Sequence, residues 1–323
     1  MSRDSDYIQK IELNSLADVM SKIPACLHAL DREFDVIADI DSNMLSFSGT
    51  EEAVEDAILA IRLIENAVTK TDDIDERTIS YLATLAKSNQ LTSFLESSSE
   101  PILVTPKGNS IRCKTIGQKI YVDAIAKNEM VLCAGPAGSG KTFLGVAMAV
   151  KAFRNKDVSK IILTRPAVEA GERLGFLPGD LQEKVDPYMR PIYDALQELL
   201  GVEAFQRYYD RGQIEVSPLA FMRGRTLDDS FILLDEAQNS TIEQMLMFLT
   251  RIGMNSKACI CGDVTQIDLP KGIRNGLSDA MELLASVDGI ESVFLTESDI
   301  VRNPIVQRII RAYYARRGEE KPL

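Results

Sequence analysis

The sequence predicts an α/β protein in two parts, a small α+β unit followed by a larger domain in which a parallel sheet is wrapped by helices. Three observations predict it. From about residue 105 onward, short runs of consecutive apolar residues alternate with helical patterns, as in strands buried on both faces and joined by crossover helices. Between one such strand, 130–134, and an apolar helical stretch, 143–150, lies a glycine-rich loop. Residues able to do chemistry, namely Arg165, Asp235, Glu236, Asp263 and Glu297, stand at the carboxyl ends of candidate strands, where open α/β sheets collect ligands.

Taken in order, residues 7–13 read as a strand, 16–31 as a helix, and 34–39 and 44–48 as two short alternating strands. A second helix follows, with Glu51, Glu52, Glu55 and Asp56 in its first turns and Ala53, Ile58, Leu59, Ile61, Leu63 and Ile64 on its apolar face. Residues 1–70 are therefore a small α+β domain. Residues 71–104 hold a short helix at 77–87 between polar stretches, the second containing Ser97-Ser98-Ser99, which reads as a linker with the main boundary near residue 100. Residues 105–323 form the larger domain, with candidate strands at 130–134, 160–164, 214–217, 231–234, 258–261 and 292–296, each apolar enough to be buried on both faces.

Composition narrows the classes. No apolar run among the 323 residues is long enough to span a bilayer, and the charged start, Met1-Ser2-Arg3-Asp4, does not resemble a signal peptide. Of the five cysteines, Cys259 and Cys261 share a strand face, but all five lie in or beside apolar segments and read as buried reduced thiols. These features point to a soluble cytoplasmic protein and exclude a membrane span or a disulfide scaffold. Residues 1–100 carry 8 Lys and Arg against 20 Asp and Glu, which accounts for the whole net charge of −12. The first part repels polyanions at long range, while the balanced second part can gather Arg and Lys on one face. The basic C-terminal stretch, with Arg302, Arg308, Arg311, Arg316, Arg317 and Lys321, reads equally as a solvated tail or an RNA-facing one.

The loop Gly135-Pro136-Ala137-Gly138-Ser139-Gly140-Lys141-Thr142 satisfies the P-loop pattern G-x-x-x-x-G-K-[ST] in full. Its glycines let backbone N–H groups turn inward around a phosphate, Lys141 reaches the β- and γ-phosphate oxygens, and the Thr142 hydroxyl can ligate Mg²⁺. The helix that follows adds its N-terminal dipole. The sequence thus predicts a site for a nucleoside triphosphate.

Downstream, the apolar strand Phe231-Ile232-Leu233-Leu234 ends in Asp235-Glu236-Ala237-Gln238, the pattern of a Walker B strand. Asp235 would hold Mg²⁺ through water, and Glu236 would orient or deprotonate the attacking water. The next strand ends in Gly262-Asp263-Val264-Thr265-Gln266, which resembles the third motif of superfamily 1 helicases and makes Gln266 a candidate γ-phosphate sensor. Lys114-Thr115-Ile116-Gly117-Gln118 looks like the Q-motif by which such ATPases read adenine, because the Gln118 amide both donates and accepts. Near the C-terminus, Arg302 either supplies an arginine finger to the γ-phosphate or caps a structural element. The chain has room for one such domain, so the finger would arrive in trans within a ring or other head-to-tail oligomer.

Together with Thr105-Pro106-Lys107-Gly108, Leu163-Thr164-Arg165-Pro166, the Gly171 to Gly179 block, Tyr188-Met189-Arg190-Pro191, Met222-Arg223-Gly224-Arg225-Thr226 and Phe248-Leu249-Thr250-Arg251, these segments resemble the PhoH family of P-loop ATPases. The resemblance covers nearly all of residues 105–323. It implies a RecA-like ATPase core, Mg²⁺-dependent ATP hydrolysis, a hexameric ring, handling of single-stranded RNA, and partnership with an endoribonuclease that matures ribosomal RNA. Residues 1–70 are similar in pattern to the KH-like domain preceding the ATPase in many members, but carry no G-x-x-G loop to clamp a nucleic-acid backbone. With their acidic charge, they suit docking or oligomer building better than RNA binding. Arg165, Arg223 and Arg225 are candidates for contact with RNA or a neighbour's phosphates, or else structural ion pairs; Tyr208-Tyr209 reads as a helix face rather than a base-stacking pair. An ATPase that remodels RNA is the reading these motifs favour, ahead of an ATP-gated assembly protein without helicase activity; a small-molecule kinase fits the sensor motif and Arg302 poorly.

Overall fold

The computed structural model describes residues 7–13, 16, 24–68, 76–88, 91–92, 100–166, 181–270, 272–301, 306 and 309. The chain divides into two units, 1–99 and 100–323. In the first, strand β1 (Tyr7–Glu12), helix α1 (Pro24–Phe34), strands β2 (Ile37–Asp41) and β3 (Met44–Gly49), and helices α2 (Glu51–Val68) and α3 (Glu76–Lys87) follow one another. The strands form an antiparallel sheet of order β1-β3-β2. Leu45 and Phe47 on its inner face are buried with Leu30, Val54, Ile61, Ile64 and Ile79 of the helices. The strand expected at 34–39 begins at Ile37 instead: Phe34 is the last residue of α1, and Asp35 stops the helix in the left-handed region (φ 57). Asp31 then catches the emerging strand by accepting from the Ala38 N–H at 2.6 Å. The expected beginning of this helix, at 16–23, lies almost wholly outside the described residues.

The second unit opens with a two-residue antiparallel pairing of β4 (Leu103–Val104) and β5 (Ser110–Ile111), which local pattern did not indicate. There follow α4 (Ile116–Lys127), β6 (Met130–Ala134), α5 (Lys141–Asn155), β7 (Lys160–Arg165), α6 (Leu181–Leu200), α7 (Val202–Asp210), β8 (Ile214–Pro218), β9 (Ser230–Leu234), α8 (Ile242–Leu249), β10 (Lys257–Gly262), α9 (Gly276–Leu283) and β11 (Ile290–Phe294). Six strands form one sheet of order β11-β6-β10-β9-β7-β8 with every pairing parallel, the α/β class that the apolar runs predict.

Alternation along the strands splits the core in two. Val131, Cys133, Ile161, Leu163, Phe231, Leu233, Cys259 and Cys261 pack with Tyr121, Leu144, Met148, Ile192, Leu196 and Phe205 from α4 to α7. Leu132, Ile162, Ile232, Leu234 and Ile260 pack on the opposite face with Met245, Phe248, Leu277 and Met281 of α8 and α9. The last strand lies two residues earlier than expected, because Thr296 leaves the ladder to close a capping box with Asp299. As an edge strand it is also not buried on both faces: Phe294 is 68% exposed. Four thiols, Cys113, Cys133, Cys259 and Cys261, are free and buried, and burial pushes the Cys259 thiol up to about 12. No described helix is long and apolar enough to cross a membrane.

Candidate functional site

Every strand of the sheet runs the same way, so the loops after β6, β7, β9, β10 and β11 meet at one edge. The loop 135–142 leaves β6 and enters α5 through Gly140, which sits at φ 86 and ψ 8, a left-handed conformation that glycine adopts without steric penalty. The loop is braced on every side. Gly135 N–H donates to Gly262 O at 3.1 Å, Ala137 N–H to Asp263 Oδ2 at 2.8 Å, and Val301 N–H to Gly138 O at 2.9 Å. The Lys141 ammonium is buried against the loop itself, 2.6 Å from Gly135 O and 2.9 Å from Pro136 O.

Asp235, 2% exposed, is the anionic centre of the site. Its Oδ1 accepts from Thr142 Oγ1 at 2.7 Å and from Cys261 Sγ at 3.2 Å. Its Oδ2 accepts from Arg165 Nε at 2.8 Å and also from Arg165 Nη2. The P-loop hydroxyl and the Walker B carboxylate, 93 residues apart in sequence, are thus in direct contact. Glu236 follows in the left-handed region at φ 55, a strained position for a residue with a Cβ, and its Oε2 accepts from Gln238 Nε2 at 2.7 Å.

The sensor candidate Gln266 donates through Nε2 to Asp263 Oδ2 at 2.9 Å, so the same carboxylate oxygen serves the sensor and the P-loop amide of Ala137. Gln118 is buried and its amide faces the loop: Nε2 donates to Ser139 O at 3.0 Å and Oε1 accepts from Lys114 N–H at 2.7 Å. The structure therefore shows Gln118 bracing the loop with the amide expected at adenine. The hydroxyl of Thr115, the N-cap of α4, donates to buried Asp299 at 2.6 Å, which joins this segment to the chain beyond β11. Arg302 and the block 171–179 lie outside the described residues.

Of the arginines Arg165, Arg223 and Arg225, two are committed to ion pairs. Arg165 holds Asp235 and Tyr188 O, and Arg225 forms a bidentate pair with Glu215, with Nη2–Oε2 at 2.7 Å. Those hydrogen bonds hold the Glu215 carboxyl below its ordinary range. Arg223 is exposed. Tyr208 packs edge-on against Phe153 with centroids 5.0 Å apart, and Tyr209 against Phe205 at 5.6 Å, so both rings belong to the helix face against the core.

The arrangement suits a nucleotide and a divalent cation. A hydroxyl and a buried carboxylate converge beside a loop that ends at a helix N-terminus, and an ammonium lies within that loop. Residues that motif spacing alone left unassigned are Gln238 and Asp263, which join the separate motifs, and Asp299. The strand-end position of Asp263 marked it without revealing what it binds.

A family model described as PhoH-like protein matches residues 110–314. A PhoH-like protein of Bacillus subtilis (strain 168) is 53% identical over 266 residues, which is 82% of this chain and 83% of that protein. A PhoH-like protein of Mycobacterium tuberculosis (strain ATCC 25618 / H37Rv) is 45% identical over 294 residues, covering 89% and 81% of the two chains. Among solved structures, the large terminase from the thermophilic bacteriophage D6E overlaps 62% of this chain and half of its own at 10% identity and a TM-score of 0.36. By the reach of the family match and the identity to relatives covered over about four fifths of their length, the chain belongs to the PhoH family.

Proposed function

We propose that this protein is an Mg²⁺-dependent ATPase that acts on single-stranded RNA, together with an endoribonuclease that matures ribosomal RNA. The observation that carries the ATPase reading is the contact of Thr142 Oγ1 with Asp235 Oδ1 beside the buried Lys141 ammonium. Thr142 and Asp235 would hold the cation, which when bound neutralises developing phosphate charge. The loop N–H groups and Lys141 would bind and orient the phosphates, and Glu236 would orient the water that attacks. Support for RNA and for the nuclease partner comes from the family resemblance, and of Arg165, Arg223 and Arg225 we assign Arg223, the exposed one, to RNA contact.

Steady-state hydrolysis with and without single-stranded RNA tests this. RNA is expected to raise kcat several-fold, and Glu236→Gln to lower it by about a hundredfold or more, in the range of a lost general base. Slow hydrolysis indifferent to RNA would favour an ATP-gated assembly protein instead.

We further propose a hexameric ring in which Arg302 reaches the nucleotide of the next subunit. Mixing Arg302→Ala subunits with Lys141→Ala subunits should then restore activity that neither has alone. The Val301 N–H bond to Gly138 O favours a second reading, with Arg302 serving its own chain's nucleotide. In that case mixed oligomers recover nothing.

A further inference from the structure

We infer that Gln238 is the positioning residue of this site: its side-chain amide fixes the Glu236 carboxylate and joins it, through Asp263, to the phosphate-binding loop. The inference rests on Glu236 being the group that orients the attacking water.

Gln238 is 1% exposed, and both ends of its amide are used. Nε2 donates to Glu236 Oε2 at 2.7 Å and to Gln266 O at 3.1 Å, while Oε1 accepts from Asp263 N–H at 3.0 Å. Asp263 in turn takes Ala137 N–H and Gln266 Nε2 on one oxygen. Hydrogen bonds therefore run without a break from the Glu236 carboxylate through Gln238 and Asp263 to the P-loop, with the sensor backbone and side chain attached on the way.

The residue type is required by what it touches. Facing a carboxylate and an N–H at once needs a group that donates and accepts, and an amide does both. A carboxylate here would repel Glu236, and an apolar side chain would leave the buried Asp263 N–H unpaired. The amide also sits where only glycine fits at the end of β10, because a Cβ on Gly262 would lie 2.4 Å from Gln238 Oε1. Glu236 is only partly buried and has a long side chain with rotamer freedom to lose, so a fixed donor decides where its carboxylate points.

The test is a double-mutant cycle of Gln238→Leu with Glu236→Gln in the full-length chain, reading kcat and KM for ATP, affinity for a fluorescent ATP analogue, and hydrogen exchange of the nucleotide-free protein. Gln238→Leu should lower kcat tenfold to a hundredfold, as loss of a supporting hydrogen bond does, with KM and affinity within about threefold. In the Glu236→Gln background it should lower kcat no further, because a residue acting through Glu236 has nothing left to position. Exchange should rise in the segment 259–267, where Asp263 N–H loses its acceptor. Equal losses in both backgrounds, which would make Gln238 act independently of Glu236, or an unchanged kcat, which would leave it a space-filling residue, would each overturn the inference. Should Gln238→Leu show no melting transition, Gln238→Glu, which removes the donor to Glu236 but keeps an acceptor for Asp263 N–H, is read by kcat in the two backgrounds, with exchange of 259–267 expected to stay at the wild-type level. A Glu236→Gln protein as fast as wild type would overturn the role of Glu236 itself, and this inference with it; a slow one beside a normal Gln238→Leu would overturn the inference alone.

Discussion

Lys141→Ala is expected to abolish measurable turnover, with kcat/KM for ATP at least about a thousandfold below wild type, the scale of losing about 4 kcal/mol of charge stabilisation in a water-excluded site. The ammonium lies inside the loop, donating to Gly135 O and Pro136 O, and its buried positive charge is the one the loop can offer to phosphate oxygens. Holding a desolvated ammonium against two carbonyls does little for the nucleotide-free fold, so the melting temperature should stay within a few degrees of wild type. Fluorescent-nucleotide titration beside a thermal melt checks both halves. Affinity within tenfold of wild type would sink the assignment of the site.

Arg165→Ala should act on stability instead. It strips Asp235, 2% exposed, of its guanidinium and leaves the carboxylate with Thr142 and Cys261 as its hydrogen-bond donors. Breaking a buried pair from one side costs about 3–5 kcal/mol, which for a unit of this size lowers the melting temperature by about ten degrees. Two controls identify the cause. Mg²⁺ with ADP should recover part of the loss, because a cation beside Asp235 restores the missing positive charge. Asp235→Asn in the same background should recover the melting temperature without recovering hydrolysis. A melting temperature unchanged in Arg165→Ala would show that the pair contributes nothing to the fold.

The P-loop and the Asp235-Glu236 pair were legible because their chemistry is packed into contiguous residues flanked by an apolar strand. The strands of the large sheet were legible for a related reason, since burial on both faces leaves runs such as Phe231 to Leu234 with no polar interruption. Gln238 stands beside those acids yet carries no local signal, because its role comes from Asp263 and Gln266, 25 and 28 residues further on. The pairing of Arg165 with Asp235 spans 70 residues and that of Thr115 with Asp299 spans 184, and strand order had to be known before either could be drawn. One signal was available for the first. Both residues end strands, and β7 and β9 are adjacent, with Thr164 opposite Leu234, so the strand-end rule combined with the sheet order brings them together. Boundaries failed where one residue's conformation overrode the pattern, at Asp35 through its left-handed backbone and at Thr296 through its capping box.

The order of strands in the sheet also has a consequence for how the protein is made. The P-loop strand β6 is synthesised first of the six, yet its neighbours are β10 and β11, and parallel partners cannot form by a local hairpin. Gly262, Asp263 and Val301, which hold the loop in shape, leave the ribosome long after it; at about 5–20 residues per second, Val301 follows Gly138 by roughly ten to thirty seconds. During that interval β6 lacks both strands that flank it in the finished sheet, so its backbone groups have no ladder partner. A nascent chain halted before Gly262 would carry all eight residues of the motif and the Gln118 brace, but not the bonds from Gly262, Asp263 and Val301 that complete the loop.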